Sequence, residues 1–286
     1  MSRNPKELAD LEQFCPGRLM TGSWMIAEML DEGGFGRVYK VYDTTDPSKV
    51  AALKIESTNM QGGSAIKLEV SALKQIHLKK QRTHATTLFK AGKRGNICYM
   101  IVTLLGMNLD RLKRRFFCNG IPARTWVRLA IQCLYGVKSV HDSAFVHRDL
   151  KAANFVLGHS SDRLKARIVH IVDFGLARQY ATFKNNKWVA RKARPWCEFR
   201  GTWCYAAPSM HNGKEQGRKD DLMSLLYMLI DLYADLPWEN EDENIRNEDL
   251  LMKMPKGLLP VIQYLRTLDY YSTPDYTIFY NALLAI

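Results

Sequence analysis

The sequence predicts an α+β chain of two lobes, a small antiparallel sheet carrying one helix followed by a larger helical body. Three observations predict it. Residues 24–58 alternate as strands, WMIAEML, RVYKVYD and KVAALKIE, with a glycine cluster in the first connection and Asp46-Pro47 in the second, which is the pattern of a meander. From Ser64 the period becomes helical, with Ile66, Val70, Leu73 and Ile76 on one face. Beyond Gly106 the pattern is mainly helical. At 286 residues and 32.9 kDa, with 47% hydrophobic and 24% charged residues, the chain can bury two cores around a cleft, and its composition excludes a disulfide miniprotein, a collagen and a disordered tail.

Two short apolar stretches, around 85–90 and 97–104, complete the sheet. Pro122 suits the start of a long helix running to about His141, and residues 218–234 and 256–268 predict two more. The expected organisation is an N-terminal extension (1–21) and one domain (22–286). Within that domain the N-lobe covers about 22–103, the connector is Thr103–Gly106, and the C-lobe covers 107–286.

Forty-one Lys+Arg against 29 Asp+Glu leave a formal charge of +12, so an anionic partner is expected: nucleic acid, acidic lipid, or an acidic or phosphorylated protein. The six cysteines show neither a C-x-x-C pair nor histidines at zinc spacing. The polar start MSRNPKELADLEQF lacks a secretory pattern, and no stretch reaches the apolar length of a membrane span. A cytosolic or nuclear protein without a membrane span is the expectation.

The run Asp31-Glu32-Gly33-Gly34-Phe35-Gly36-Arg37-Val38 lies between two strands. Such glycines let backbone N–H groups approach phosphates, or simply make a tight turn. Lys54, within the apolar strand Ala51-Ala52-Leu53-Lys54, either snorkels to solvent or is held by an anion such as Glu69 on the following helix. His147-Arg148-Asp149-Leu150-Lys151-Ala152-Ala153-Asn154, followed by Asp173-Phe174-Gly175, decides between these readings. It supplies what phosphoryl transfer needs: a carboxylate for the hydroxyl proton, a lysine for γ-phosphate charge, and an amide and a second carboxylate for Mg²⁺.

On these motifs, in this order, the chain resembles the protein-kinase family from about Trp24 onward. The resemblance implies the bilobal kinase fold, with ATP and Mg²⁺ in the cleft. It makes Asp149 the catalytic base and Lys151 the transition-state lysine, pairs Lys54 with Glu69, and assigns the metal to Asn154 and Asp173. Leu30, Gly33, Gly34, Phe35, Gly36, Val38, Ala52, Lys54, Val102, Thr103 and Leu105 would line the nucleotide site together with Asn154 and Asp173. Lys151, two residues after Asp149, resembles the Ser/Thr class. Leu53-Lys54-Ile55-Glu56, Lys67-Leu68-Glu69-Val70, Asn154-Phe155, Asp173–Gln179, Phe199-Arg200-Gly201-Thr202 and Arg218–Leu225 are similar to the casein kinase 1 superfamily, and within it Phe199–Thr202 and Tyr227-Met228-Leu229 with Leu236-Pro237-Trp238 most resemble the tau-tubulin kinase branch. Asp221 matches the aspartate that braces the catalytic loop in that family.

The chain departs from the general kinase pattern in two places. Asp31 replaces the first loop glycine, and Ala206-Ala207-Pro208-Ser209 lacks the usual glutamate, as casein kinase 1 relatives also do. Between Phe174 and Arg200 seven cations (Arg178, Lys184, Lys187, Arg191, Lys192, Arg194, Arg200) face one acid, Glu198. Such a segment is either a solvated loop or a platform that favours acidic or phosphorylated protein substrates. In the latter case Arg178, Arg200, Thr202, Arg218 and Lys219 are the expected substrate contacts. The expected function is a monomeric Ser/Thr protein kinase that does not require phosphorylation of its own activation segment and binds no nucleic acid. The alternative is a nucleotide-binding scaffold without catalysis. Residues 235–249 reverse the charge, while Lys79-Lys80-Gln81-Arg82 and Arg111–Arg115 are expected on exposed helix faces.

Overall fold

The structure, a computed structural model, describes residues 10–33, 36–59, 63–78, 83–118, 120–234, 236 and 256–286. The expectations for Gly34, Phe35, Lys79–Arg82, Pro237-Trp238 and the acidic run 235–249 (apart from Leu236) lie outside these residues, as do residues 1–9 of the extension.

A six-stranded sheet comes first, formed by β1 (Leu19–Thr21), β2 (Trp24–Gly33), β3 (Gly36–Asp43), β4 (Asp46–Ser57), β5 (Leu88–Arg94) and β6 (Ile97–Thr103) in the order β1-β2-β3-β4-β6-β5, with every neighbouring pair antiparallel. The helix α1 (Ile66–Leu78) is inserted between β4 and β5. Because side chains alternate across a strand, β4 serves two surfaces. Ala51, Leu53 and Ile55 enter one core, with Trp24, Ile26, Tyr39, Val41, Tyr99, Ile101 and the preceding Leu11 and Phe14. Ala52, Lys54 and Glu56 fall on the opposite face, toward α1 and the second lobe. That alternation alone places a lysine and a glutamate side by side next to a helix. Helix α1 buries Ile66, Leu73 and Ile76 as its spacing predicts; it also buries Ala72 and Glu69, and Val70 is half-buried.

The strand expected near 85–90 is displaced to Leu88–Arg94. Residues before it are drawn elsewhere: Ala85 bridges Ile171, and Thr87 and Thr103 exchange bonds, Thr103 N donating to Thr87 O and Thr87 N to Thr103 Oγ1, both at 3.0 Å. The polar end Ala91–Arg94 still pairs with β6, since ladder bonds do not need apolar side chains.

The second lobe begins with β7 (Leu105–Asn108) and α2 (Leu109–Phe116), which shows Arg111, Arg114 and Arg115 to solvent as expected. Its centre is α3 (Ala123–Asp142), which buries Trp126, Leu129, Ala130, Cys133, Leu134, Val137 and Val140 at helical spacing. Trp126 Nε1 donates to Leu229 O at 2.8 Å, tying α3 to α4 (Arg218–Tyr233), a helix buried on most sides. The predicted helix 256–268 is a 3-10 turn, Lys256–Leu258, leading into α5 (Leu259–Thr267), and a further helix, α6 (Tyr276–Leu284), closes the chain. Short pairs fill the interval: β8 (Phe145–Val146) with β11 (Arg178–Gln179), β9 (Phe155–Gly158) with β7 and β10 (Val169–Ile171), and the hairpin β12 (Ala181–Lys184) to β13 (Lys187–Ala190). The chain thus has the expected α+β architecture of a curled antiparallel N-lobe and a helical C-lobe. No helix among the described residues is long and apolar enough to cross a membrane.

Candidate active site

Strand register aligns Asp31, Val38, Lys54 and Met100 across β2, β3, β4 and β6, and places Ala52 opposite Val102. Leu30, Val38, Ala52 and Val102 therefore occupy neighbouring positions of one sheet, with Thr103 and Leu105 at the passage into the second lobe. Asp31 is exposed, and its Oδ1 accepts the N–H of Glu32 at 2.9 Å, a solvent-side placement. The loop glycines differ in their reasons. A Cβ on Gly33 would meet nothing within 4 Å, whereas one on Gly36 would clash with Ile55 O, so close packing on β4 requires a glycine there whatever the loop binds.

Lys54 does not snorkel. Its Nζ hydrogen-bonds Glu69 Oε1 and lies 3.3 Å from both Asp173 Oδ1 and Glu56 Oε1. Burial opposes the charged lysine, yet Glu69, Asp173 and Glu56 together hold its pKa above the usual range. Burial pushes Glu69 up to about 7, with Lys54 pulling the other way and Asp173 adding to the rise. One cation thus faces three carboxylates, an arrangement that a nucleotide's Mg²⁺ would relieve by taking Asp173.

Glu56 enters the site with a role that its motif does not predict. It is 1% exposed, and its Oε2 accepts Ser64 Oγ at 2.8 Å, Ala65 N at 2.8 Å and Ile66 N at 3.2 Å, satisfying amides at the start of α1. The strand that carries Lys54 therefore also caps the helix that carries Glu69. The available signal was an acid two positions after the lysine, on the same strand face. Glu56→Ala should lower stability by about 1–3 kcal/mol through the orphaned helix amides, read as a shift of the urea midpoint. It should also weaken nucleotide binding, measured with a fluorescent ATP analogue.

The loop between β8 and β9 holds the second cluster. Asp149 is 7% exposed; its Oδ2 accepts Lys151 Nζ at 2.8 Å and Asn154 Nδ2 at 3.3 Å, while its Oδ1 accepts Thr202 Oγ1 at 2.7 Å. Asn154 Nδ2 also donates to Asp149 O at 2.9 Å, which leaves its amide oxygen for a cation. The loop backbone is braced by Asp221 on α4: Oδ2 accepts His147 N at 2.6 Å and His141 Nε2 at 2.9 Å, and Oδ1 accepts Arg148 N at 2.9 Å. Arg148 has φ 69°, a left-handed conformation that these bonds help to sustain. Burial works against the Asp221 carboxylate, but the bonds from His141 and the His147 amide hold its pKa below the ordinary value.

Asp173, at φ 64°, turns back toward Lys54 while Phe174, 1% exposed, packs on His147 with ring centroids 5.2 Å apart. A Cβ on Gly175 would come within 3.2 Å of Ala65 and 3.3 Å of Asp173 Oδ1, so the glycine lets this turn sit under α1. Asp173 and Asn154 fit a cation that also takes phosphate oxygens, the usual way Mg²⁺ is held. Among the described residues no three His, Cys, Asp or Glu side chains form a metal cage of their own.

The expected substrate contacts divide. Thr202 is on Asp149, and Arg200 is half exposed, with a loose pair to Glu198 at 3.7 Å. Arg178 and Arg194 both pair with the buried Glu215, through Arg178 Nε to Oε1 at 3.3 Å and Arg194 Nη2 to Oε1 at 3.0 Å. Arg218 lies over the Tyr180 ring at 4.6 Å and donates to Tyr271 O at 3.2 Å, and Lys219 pairs with Asp220 at 3.4 Å. Arg178, Arg218 and Lys219 are thus engaged within the protein. Ser209, where a glutamate is usual, hydrogen-bonds Asp220 Oδ1 and anchors the end of this segment to α4.

Comparison with known sequences agrees with this geometry. The profile of the protein kinase domain family matches residues 24–277. A Caenorhabditis elegans chain named as a serine/threonine-protein kinase is 36% identical over 273 residues, covering 91% of this chain and 76% of that one. A second protein of that organism, named as an inactive tau-tubulin kinase, is 38% identical over 73% of this chain and 77% of its own length, and a third, named as a casein kinase I, is 31% identical over 82% and 68%. With a family match that covers most of its length, and relatives at 36% and 38% identity, the chain belongs to the protein kinase domain family.

Proposed function

We propose that the chain is an active Ser/Thr protein kinase that phosphorylates acidic or already phosphorylated protein segments. The observation that carries this reading is the convergence of Lys54, Glu69 and Asp173, from elements as far as 119 positions apart, with Asp149, Lys151 and Asn154 complete beside them. Bound Mg²⁺-ATP supplies the phosphoryl group and its charge neutralisation. Lys54, set by Glu69, would take the α- and β-phosphates, and Asp173 and Asn154 the cation. Asp149 would orient the substrate hydroxyl and accept its proton, with Lys151 balancing γ-phosphate charge.

Glu215 bears on control. Burial pushes Arg148 down to about 10, with Arg178, Arg194 and Arg200 adding repulsion and Glu215 opposing it. A carboxylate of the chain itself thus supplies the anion that this arginine cluster needs. That supports activity without phosphorylation of the segment. The exposed cations of residues 184–200 support the acidic preference.

A non-catalytic scaffold is the second reading, favoured by the relative that is named inactive. A degenerate Ser/Thr peptide library tests both. We expect phosphorylation enriched for Asp, Glu or phosphoserine around the acceptor. Enrichment for Lys and Arg would overturn the substrate assignment, and absence of transfer with retained ATP binding would favour the scaffold.

A further inference from the structure

We infer that the cavity between α3 and α6 is an effector site for a small aromatic carboxylate, coupled to the catalytic loop through Tyr276. The site stands on its own geometry, and only its effect on phosphate transfer rests on the kinase reading. The cavity measures about 120 Å³ and is lined by Leu134, Tyr135 and Lys138 of α3 and by Tyr276, Thr277 and Tyr280 of α6. On each helix these positions are i, i+1 and i+4, so one face of each element builds one wall. An apolar space of this size takes a single aromatic ring. Half of the lining side chains are tyrosines, and two of them, Tyr135 and Tyr280, already meet edge to face at 6.1 Å, the contact that a further ring extends. The walls are held from behind. Tyr135 stacks on His84 with centroids 6.4 Å apart, and His84 Nδ1 donates to Val169 O at 2.7 Å. Asp275 caps the first turn of α6, its Oδ1 accepting Thr277 N at 2.9 Å and Thr277 Oγ1 at 2.6 Å. Fixed walls bind a small rigid ligand at little ordering cost.

Charge selects an acid as the ligand. None of the lining side chains is acidic, and Lys138 Nζ lies 5.5 Å from the centre of the Tyr276 ring. Lys138 also pairs with Asp142 Oδ2 at 2.6 Å, but the two side chains are 36% and 38% exposed, so the pair is a weak surface one. An ammonium carries three donors, and Lys138 can take a ligand carboxylate while keeping Asp142. A ligand amine would face the same ammonium and be repelled. Tyr276 links the cavity to the chemistry. Its ring forms part of the wall, while its Oη hydrogen-bonds His141 Nδ1 at 2.7 Å. His141 Nε2 donates to Asp221 Oδ2 at 2.9 Å, and Asp221 accepts the amides of His147 and Arg148. A continuous hydrogen-bond chain thus runs from the cavity wall to the backbone beside Asp149. A ring packed on Tyr276 restricts that side chain to the position in which its hydroxyl reaches His141, which favours the braced loop over a released one.

The test uses para-fluorobenzoate as the probe and para-fluorobenzyl alcohol as its uncharged control, both followed by fluorine NMR on the full chain with and without a non-hydrolysable ATP analogue. The acid should bind about tenfold tighter than the alcohol, whether or not the analogue is present. Lys138→Met should erase that difference with unchanged melting temperature. Equal affinity of the two probes for the wild-type chain, displacement of the acid by the analogue, or wild-type discrimination by the Lys138→Met protein overturns the site. The coupling is read from hydrogen exchange of the His147 and Arg148 amides and from kcat. Saturating acid should slow that exchange and raise kcat, each about fivefold. Tyr276→Phe keeps the ring and loses the hydroxyl, so it should bind the acid as wild type does and show neither response. Exchange that the acid leaves unchanged in the wild-type chain, or slows equally in the Tyr276→Phe protein, overturns the coupling. Lys138-dependent binding with slowed exchange, in a chain that transfers no phosphate, upholds the proposal and counts against the kinase reading alone.

Discussion

Asp149→Asn is expected to lower kcat for phosphate transfer by about 10³-fold, the scale of a lost general base, while ATP binds with unchanged affinity. The carboxylate is held at both ends, by Thr202 Oγ1 at 2.7 Å and by Lys151 Nζ at 2.8 Å, so its substitution by an isostere removes proton acceptance without removing the side chain. An asparagine can still accept from one of these donors, and its amide then meets the other. The loop should therefore keep its shape and lose its chemistry. Steady-state kinetics with a saturating peptide, beside a nucleotide titration, separates the two: the expected pattern is a fall in kcat with little change in the ATP dissociation constant. A parallel loss of nucleotide affinity would mean that the loop itself had moved.

Asp221→Ala should be the most destabilising single truncation at the site, by about 3–5 kcal/mol, because one buried carboxylate satisfies three donors. His147 N, Arg148 N and His141 Nε2 all lose their acceptor, and Arg148 loses a bond that sustains its left-handed backbone. His141 also contacts Tyr276 Oη at 2.7 Å, so the damage extends to α6 at the end of the chain. Urea unfolding measures it: the midpoint should fall with the m-value unchanged. A loss below about 1 kcal/mol would show that water or a shifted loop replaces the carboxylate.

The architecture was legible because its signals are local and periodic. Alternation in β2 to β4, the helical spacing of Ile66, Leu73 and Ile76, and Pro122 ahead of α3 each report a single element. The central site residues were legible for another reason: Asp149, Lys151, Asn154 and Asp173 sit in short strings whose order carries their chemistry. What stayed hidden depends on contacts between distant segments. Glu56 reads as an ordinary strand residue until α1 is placed over it. Glu215 gives no sign in sequence that it will neutralise Arg178, an expected substrate contact, and Arg194. The strand lies at Leu88–Arg94 and not near 85–90 because Thr87 and Thr103 bind each other, and the β12–β13 hairpin is hard to foresee because Asn-Asn is a weaker turn signal than Asn-Gly.

Together these clusters should make a working phosphoryl-transfer site. Transfer of labelled γ-phosphate from Mg²⁺-ATP to casein by the purified chain, compared with the Asp149→Asn protein at equal nucleotide occupancy, tests it most directly. The wild-type chain should yield labelled phosphoserine or phosphothreonine, and the variant about 10³-fold less. Equal labelling by both proteins, or none above background by the wild-type chain with ATP bound, would contradict it.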